Sequence, residues 1–325
     1  MEYRSFDNSE LKASAIGFGT WELGGRYGAI AEKEAVAAIH RALDLGVTLF
    51  DTAPAYGNGL SEEILGKALG TRRKDAVLVT KVGIGWDENG EYVFDGSRDA
   101  IVKCVEDSLK RLQTDYIDLL VVHRPDVNAP LPEVAETLQE VRRSGKARYV
   151  GVSNFTIHQL KECLPAGPFT ANQIGYNLFD RRLEETIAFC RANGIGVMAY
   201  GSLCYGLLTG TLTKDSFSGE GKDWRKSWQA PFGQAIFEGE NFVKNLEVVE
   251  QLKTVARSVG KSLPQLAINW VLSNPGISVA LTGCRRPSEI EDNVDAVGWS
   301  LSDENRARIA AIMEGAAGLS DTTWP

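Results

Sequence analysis

The sequence predicts an α/β fold, a (β/α)8 TIM barrel with a long loop insertion after its seventh strand. Three observations carry that expectation. Apolar runs of strand length alternate with helix-period segments through almost the whole chain, eight such units succeed one another, and no Pro- or Ser-rich linker, low-complexity tract or repeat divides them. Alternation of strand and helix is the pattern of a parallel sheet with helical crossovers, and eight successive units favour closure over an open sheet. The chain has 325 residues, and barrels of this kind take about 250 or more as one unit. One domain spanning residues 1–325 is therefore expected.

The first strand is Ser14 to Phe18. Val36, Ile39 and Leu43 then line one helical face that stops before Gly46, and Val47 to Phe50 is the second strand. The third strand, Val77 to Thr80, leads to a helix with Ser97 as its N-cap and Ile101, Val105, Leu109 and Leu112 on its buried face. Beyond the fourth strand, Ile117 to Val122, a helical face of Val134, Leu138 and Val141 follows Pro132 and precedes Gly145, as Pro favours helix starts and Gly their ends. Tyr149 to Val152, Asn172 to Gly175, Gly196 to Tyr200 and Ile277 to Leu281 complete the eight. Ala192 to Thr213 carries no charge and is long enough to pose the question of a membrane span. Its glycines at 194, 196, 201, 206 and 210 suit a buried strand running into a glycine-rich loop better. Periodicity fails between Leu203 and Asn245, so residues 204–245 are expected to form the inserted loop. A stretch this long inside a compact domain usually serves function, here as a lid.

Composition narrows the function. With 43% hydrophobic and 24% charged residues, the chain can bury a substantial core. A formal net charge of -8 argues against a general nucleic-acid binder, which carries a basic stripe. The cysteines at 104, 163, 190, 204 and 284 are scattered, odd in number and without a CxxC pair, which fits a reducing cytoplasm and argues against a disulfide framework or zinc site. The start, Met1-Glu-Tyr-Arg-Ser-Phe-Asp, lacks the apolar run of a signal peptide. A cytoplasmic protein acting on a small molecule is expected, with neither nucleic acid nor membrane as partner, and the oligomeric state is left open.

Active sites of such barrels lie at the C-terminal ends of the strands. Asp51 follows the second strand, Lys81 the third and His123 the fourth, while Tyr56 sits in the loop just past Asp51. A buried lysine beside a tyrosine is expected to favour the phenolate and lower the tyrosine pKa, and a carboxylate paired to the lysine keeps the amine charged and in place. Tyr56 then serves as proton donor, and a neutral His123 orients a substrate carbonyl. His40 and His158 fall on predicted helices, so no metal set forms. The Rossmann phosphate motif is missing: Gly17-Phe-Gly19 lacks its third glycine because position 22 is Glu. Trp21, Trp86, Trp224 and Trp228 are candidates to shape a substrate pocket.

The segment Gly46-Val-Thr-Leu-Phe-Asp-Thr-Ala-Pro-Ala-Tyr-Gly-Asn-Gly-Leu-Ser-Glu-Glu-Ile-Leu-Gly-Lys-Ala-Leu69 resembles the aldo-keto reductase signature. Val79-Thr-Lys-Val82 and Asp118-Leu-Leu-Val-Val-His-Arg-Pro-Asp126 are similar to the segments carrying its other two catalytic residues, and all four positions match. The likeness continues through Gly151–Phe155, Asn172–Asn177, Ala199–Leu203 and Leu281–Asn293. It implies a reversible NAD(P)H-dependent reduction of an aldehyde or ketone, sugars among them. It also implies that Ser153, Asn154 and Gln173 hold the nicotinamide carboxamide, with Tyr200 against the ring and Gly19-Thr20-Trp21 passing beneath it. Asp51, Gly201, Ser202 and Leu203 border the cofactor, and Gly283, Arg285, Glu289 and Asn293 take its adenosine end. Glu289 departs from the Gln or Arg usual there, and a carboxylate repels a 2′-phosphate, with Arg286 nearby as an offset. The resemblance favours NADP(H) and leaves NAD(H) open. Similar folds also serve as cofactor-bound regulatory subunits with little turnover, which is the alternative; a cofactor-free barrel hydrolase is a third and weaker one.

Overall fold

A computed structural model describes residues 1–25, 27–28, 30–87, 89–218, 223–227 and 235–320. Eight parallel strands close into a barrel: β1 (Ile16–Gly19), β2 (Leu49–Asp51), β3 (Val77–Val82), β4 (Ile117–Val122), β5 (Ala147–Ser153), β6 (Ala171–Gly175), β7 (Gly196–Tyr200) and β8 (Ile277–Gly283). Each pairs with its sequence neighbours, and β8 returns to β1 through Ala280 opposite Ile16 and Gly283 opposite Gly19. The expected (β/α)8 TIM barrel is the fold observed.

The three helical faces that the sequence marks lie where it puts them, and further helices join them. α1 (Glu32–Asp44) buries Ile39 and Leu43, α2 (Leu60–Leu69) follows β2, and α3 (Arg98–Leu112) starts from Ser97, whose hydroxyl accepts the Ala100 N–H. α4 (Leu131–Arg143) has its proline in the first turn and buries Val134, Leu138 and Val141. α5 (Ile157–Cys163) and α6 (Glu184–Ala192) follow β5 and β6. α7 (Gly239–Ser258) and α8 (Leu263–Leu272) precede β8, and α9 (Pro287–Val294) and α10 (Asp303–Met313) follow it. The uncharged stretch resolves into β7 and a 3-10 turn at Cys204–Thr209, and no described helix is long and apolar enough to cross a membrane.

Six of the eight strands differ from their expected bounds by one or two residues at an end, Leu49–Asp51 replacing Val47 to Phe50 among them, and two differences stand out. Ser14 belongs not to β1 but to a two-stranded hairpin, Tyr3–Ser5 with Lys12–Ser14, because its hydroxyl turns back to the Ile16 carbonyl. Residues 239–245 are helical, so the irregular insertion ends before α7. The helical period was hidden by Asn245, a fully buried polar residue whose amide donates to the carbonyls of Ile236 and Ala317.

Inside the barrel, Leu49, Val79, Leu119, Val121, Met198 and Val279 form one apolar cluster, closed from below by Phe6, Leu11 and Ala13 of the N-terminal hairpin segment. Gly196 admits the Phe6 ring, which a Cβ would strike. A filled floor means that the strands' upper ends are the open side. A second hairpin, Ile84–Trp86 with Tyr92–Phe94, rises beyond β3 and was missed. Alternating residues around Asn89-Gly90 are its hairpin signal.

Candidate active site

Every barrel strand delivers a residue to the open end. Gly19 ends β1, Asp51 ends β2, Lys81 lies one residue from the end of β3, His123 follows β4, Ser153 ends β5, Gln173 lies in β6, Tyr200 ends β7 and Gly283 ends β8. All of these except Lys81 line one cavity of about 1000 Å³, at the upper end of the size of small-molecule clefts.

Lys81 is fully buried below the cavity, with Nζ 2.8 Å from each Asp51 carboxylate oxygen and 2.9 Å from the Thr52 carbonyl. Gln173 Nε2 donates to Asp51 Oδ1 at 2.7 Å, so the carboxylate is fixed from both sides. Thr20, between Gly19 and Trp21 of the cavity wall, is buried and donates its hydroxyl to the Asp51 carbonyl. The Tyr56 ring lies 4.9 Å from Lys81 Nζ and meets the His123 ring edge-on at 5.7 Å. The four predicted catalytic residues are therefore together.

Tyr56 owes its place to its loop. Gly57, Asn58 and Gly59 take successive left-handed φ values of 64°, 54° and 88°, which glycine adopts freely and asparagine tolerates. Gly57 also packs on Gly24 so closely that a Cβ on Gly24 would come within 2.8 Å of the Gly57 nitrogen. Asn154 is a further left-handed residue at the site, held by donating to the His123 carbonyl and accepting the Tyr200 hydroxyl.

Electrostatics revise one expectation. Burial, and then the negative charge of Asp51, push the Tyr56 phenol well above its ordinary value instead of lowering it. Burial is the larger of these causes, and it presses Lys81 itself downward as well. Burial, with Lys81 and Arg124 adding to it, keeps the His123 imidazole far below its usual range, so it is neutral as expected. Its Nδ1 is buried with no partner among the described residues.

The aromatic candidates divide. Trp21 lines the cavity. Trp224 stands behind it, 5.6 Å from Trp21 and 5.3 Å from Tyr205, and Trp86 packs on Tyr92 while donating to the Ala55 carbonyl; neither reaches the wall. Trp228 lies outside the described residues. The wall near Tyr56 is instead built by Tyr27, Ile84, Tyr92, Phe94, Arg124 and Tyr205, residues the sequence did not mark.

At the far end, Gly201, Ser202, Leu203, Gly283, Arg285, Glu289 and Asn293 all line the cavity, whereas Arg286 does not. Asn293 is nearly buried and donates to Cys284 Sγ. Glu22, noted in sequence only as a missing glycine, is here too: its carboxylate fills the space in which Gly283 lacks a Cβ. Burial and then repulsion from Glu289 push Glu22 up from 4.5 to about 7, against the pull of Arg285. The folded pKa is above the unfolded one, so ionisation costs the fold nothing below about 4.5 and its full amount above about 7. Glu22→Gln should thus raise the unfolding temperature of the ligand-free protein at pH 8 and barely at pH 4.5. Equal shifts at the two pH values would rule out the ionisation account.

The strand ends thus line one chamber that runs from Asp51, Tyr56 and His123 to Gly283, Arg285 and Asn293. Residues 15–314 match the model of the Aldo/keto reductase family, and the chain belongs to that family. It is 42% identical to the aldo-keto reductase YhdN of Bacillus subtilis, over 100% of this chain and 97% of that one. It is 35% identical to a probable voltage-gated potassium channel subunit beta of Arabidopsis thaliana, over 91% of each. Among solved structures, it superposes on the glycerol dehydrogenase AKR11B4 of Gluconobacter oxydans with a TM-score of 0.87 and 35% identity, covering 98% of this chain and 97% of the other.

Proposed function

We propose that this protein reversibly reduces an aldehyde or ketone, sugars among them, with Tyr56 as the proton donor. The observation that carries the proposal is the Asp51–Lys81 pair, locked at 2.8 Å beneath a neutral Tyr56 beside a neutral His123, at the wall of a chamber that continues to Arg285.

The chamber's residues fit a nicotinamide dinucleotide. Gly19, Gly201 and Gly283 leave its wall without side chains, and Ser153, Asn154, Gln173 and Tyr200 set polar and aromatic groups beside Tyr56. In this reading Ser153, Asn154 and Gln173 hold the carboxamide, Tyr200 flanks the ring, Gly201 to Leu203 border the middle, and Gly283, Arg285 and Asn293 take the adenosine end. The reduced cofactor supplies a hydride to the carbonyl carbon. His123 hydrogen-bonds the carbonyl oxygen and orients it. Tyr56 gives its proton to the same oxygen, and Lys81, steadied by Asp51, stabilises the phenolate left behind; donors fixed in advance at a developing charge are usually the largest part of such catalysis. The described residues Tyr205, Thr209 and Arg225, between β7 and α7, reach the wall and would help to enclose the substrate.

A second reading, a cofactor-bound regulatory subunit with little turnover, is favoured by one observation, the channel-subunit name of a 35% identical relative. Following nicotinamide absorbance with NADH and NADPH separately, across a panel of aldoses, aliphatic and aromatic aldehydes and ketones, separates the two. Turnover on at least one carbonyl is expected. Cofactor binding without turnover on any would support the second reading.

A further inference from the structure

The adenosine end of the chamber carries its own anions. Glu289 lies in the first turn of α9, and its Oε2 accepts the backbone N–H of Arg285 at 2.6 Å. A helix N-terminus with its preceding N–H groups is where an incoming phosphate would be received. Here a side chain of the protein already takes that N–H. Glu22, rising from the turn after β1, sets a second carboxylate against Gly283 in the same wall, close enough to Glu289 for the two to repel.

The cations at this end are partly engaged elsewhere. The Arg285 charge acts on Glu22 while its backbone N–H goes to Glu289, Lys253 pairs with Glu250 at 2.6 Å, and Lys261 donates to the Asp295 carbonyl at 3.2 Å. Arg257, exposed on α7, also faces the cavity and suits the pyrophosphate that both dinucleotides share. Asp292, also on the wall, is engaged by Ser262 and Gln265 of the neighbouring helix cap.

We infer that Glu289 and Glu22 are cofactor-selecting residues that exclude a 2′-phosphate, so that this chain takes NAD(H) in preference to NADP(H). The inference rests on the nicotinamide dinucleotide being the ligand of this chamber. A ribose 2′-hydroxyl is a donor that a carboxylate accepts, as in dinucleotide folds that use an acidic residue for NAD, whereas a 2′-phosphate meets like charge. The choice reverses the NADP(H) preference that family resemblance alone suggests.

Equilibrium titration of the full-length protein with NADH and with NADPH, read by calorimetry or protein fluorescence, tests this without turnover. NADH should bind about tenfold more tightly or better. Glu289→Gln retains an acceptor for the Arg285 N–H, and it should tighten NADPH by about tenfold while moving NADH by no more than about twofold. Glu22→Gln should act in the same direction at pH 8, where Glu22 is ionised, and by less at pH 6, where it is largely protonated. Tighter or equal NADPH binding in the unaltered protein, or a ratio unmoved in both variants, overturns the inference and leaves the assignment of the chamber standing. Binding of neither dinucleotide overturns the assignment and the inference together.

Discussion

Tyr56→Phe should lower kcat by about 100- to 10,000-fold, the usual worth of a positioned general acid, and leave cofactor affinity within about twofold. The substitution removes one hydroxyl and keeps the ring, so the edge-on contact with His123 and the face toward Lys81 persist. The size of the effect follows from the phenol's state. Burial and Asp51 keep it protonated at neutral pH, so the proton to be delivered is resident on Tyr56 in the resting enzyme. His123 does not readily replace it, because burial and the neighbouring cations keep the imidazole unprotonated. Rates of carbonyl reduction and dissociation constants measured on the same preparation check both halves. A variant retaining a tenth or more of the activity would move the proton-donor role away from Tyr56.

Lys81→Met should be the most damaging change to stability. The pair is fully enclosed, and the lysine is pressed toward neutrality by burial more than Asp51 restores it. Such a pair adds little net stability, yet removing one partner strands a charge, at a cost of about 3–5 kcal/mol. Asp51 would keep the Gln173 amide as a donor, but a neutral amide does not offset its charge. Urea unfolding should show the loss, and adding Asp51→Asn to the same chain should recover part of it without restoring turnover. If the double variant were as unstable as the sum of the two single ones, the stranded-charge account would fail.

The parts of the molecule legible in sequence are those in which local pattern and tertiary environment agree. The barrel strands are largely apolar because they are buried on both faces, so β4 appears as the run Ile117 to Val122, broken only by the ion-paired Asp118, with His123 at its mouth. Ser97 and the helix-start Pro132 are read correctly because capping is local. What escaped depends on neighbours distant in sequence. Trp224 looks like a pocket residue until Trp21 and Tyr205 are seen in front of it. Glu22 looks like a broken motif until β8 brings Gly283 against it. The tyrosine pKa escapes for a related reason: the lysine–carboxylate pairing is legible, but the burial that pushes the phenol up comes from surroundings distant in sequence. Asn245 hid the start of α7 because a polar residue buried to satisfy two carbonyls breaks an otherwise apolar period.

The contact between Gly24 and Gly57 joins two loops that the chain otherwise keeps apart, one bearing the carboxylate at the adenosine end and the other the phenol. Backbone resting on backbone leaves no flexible side chain to absorb a displacement. The two loops therefore hold one another's spacing, and a side chain added at either glycine would push them apart.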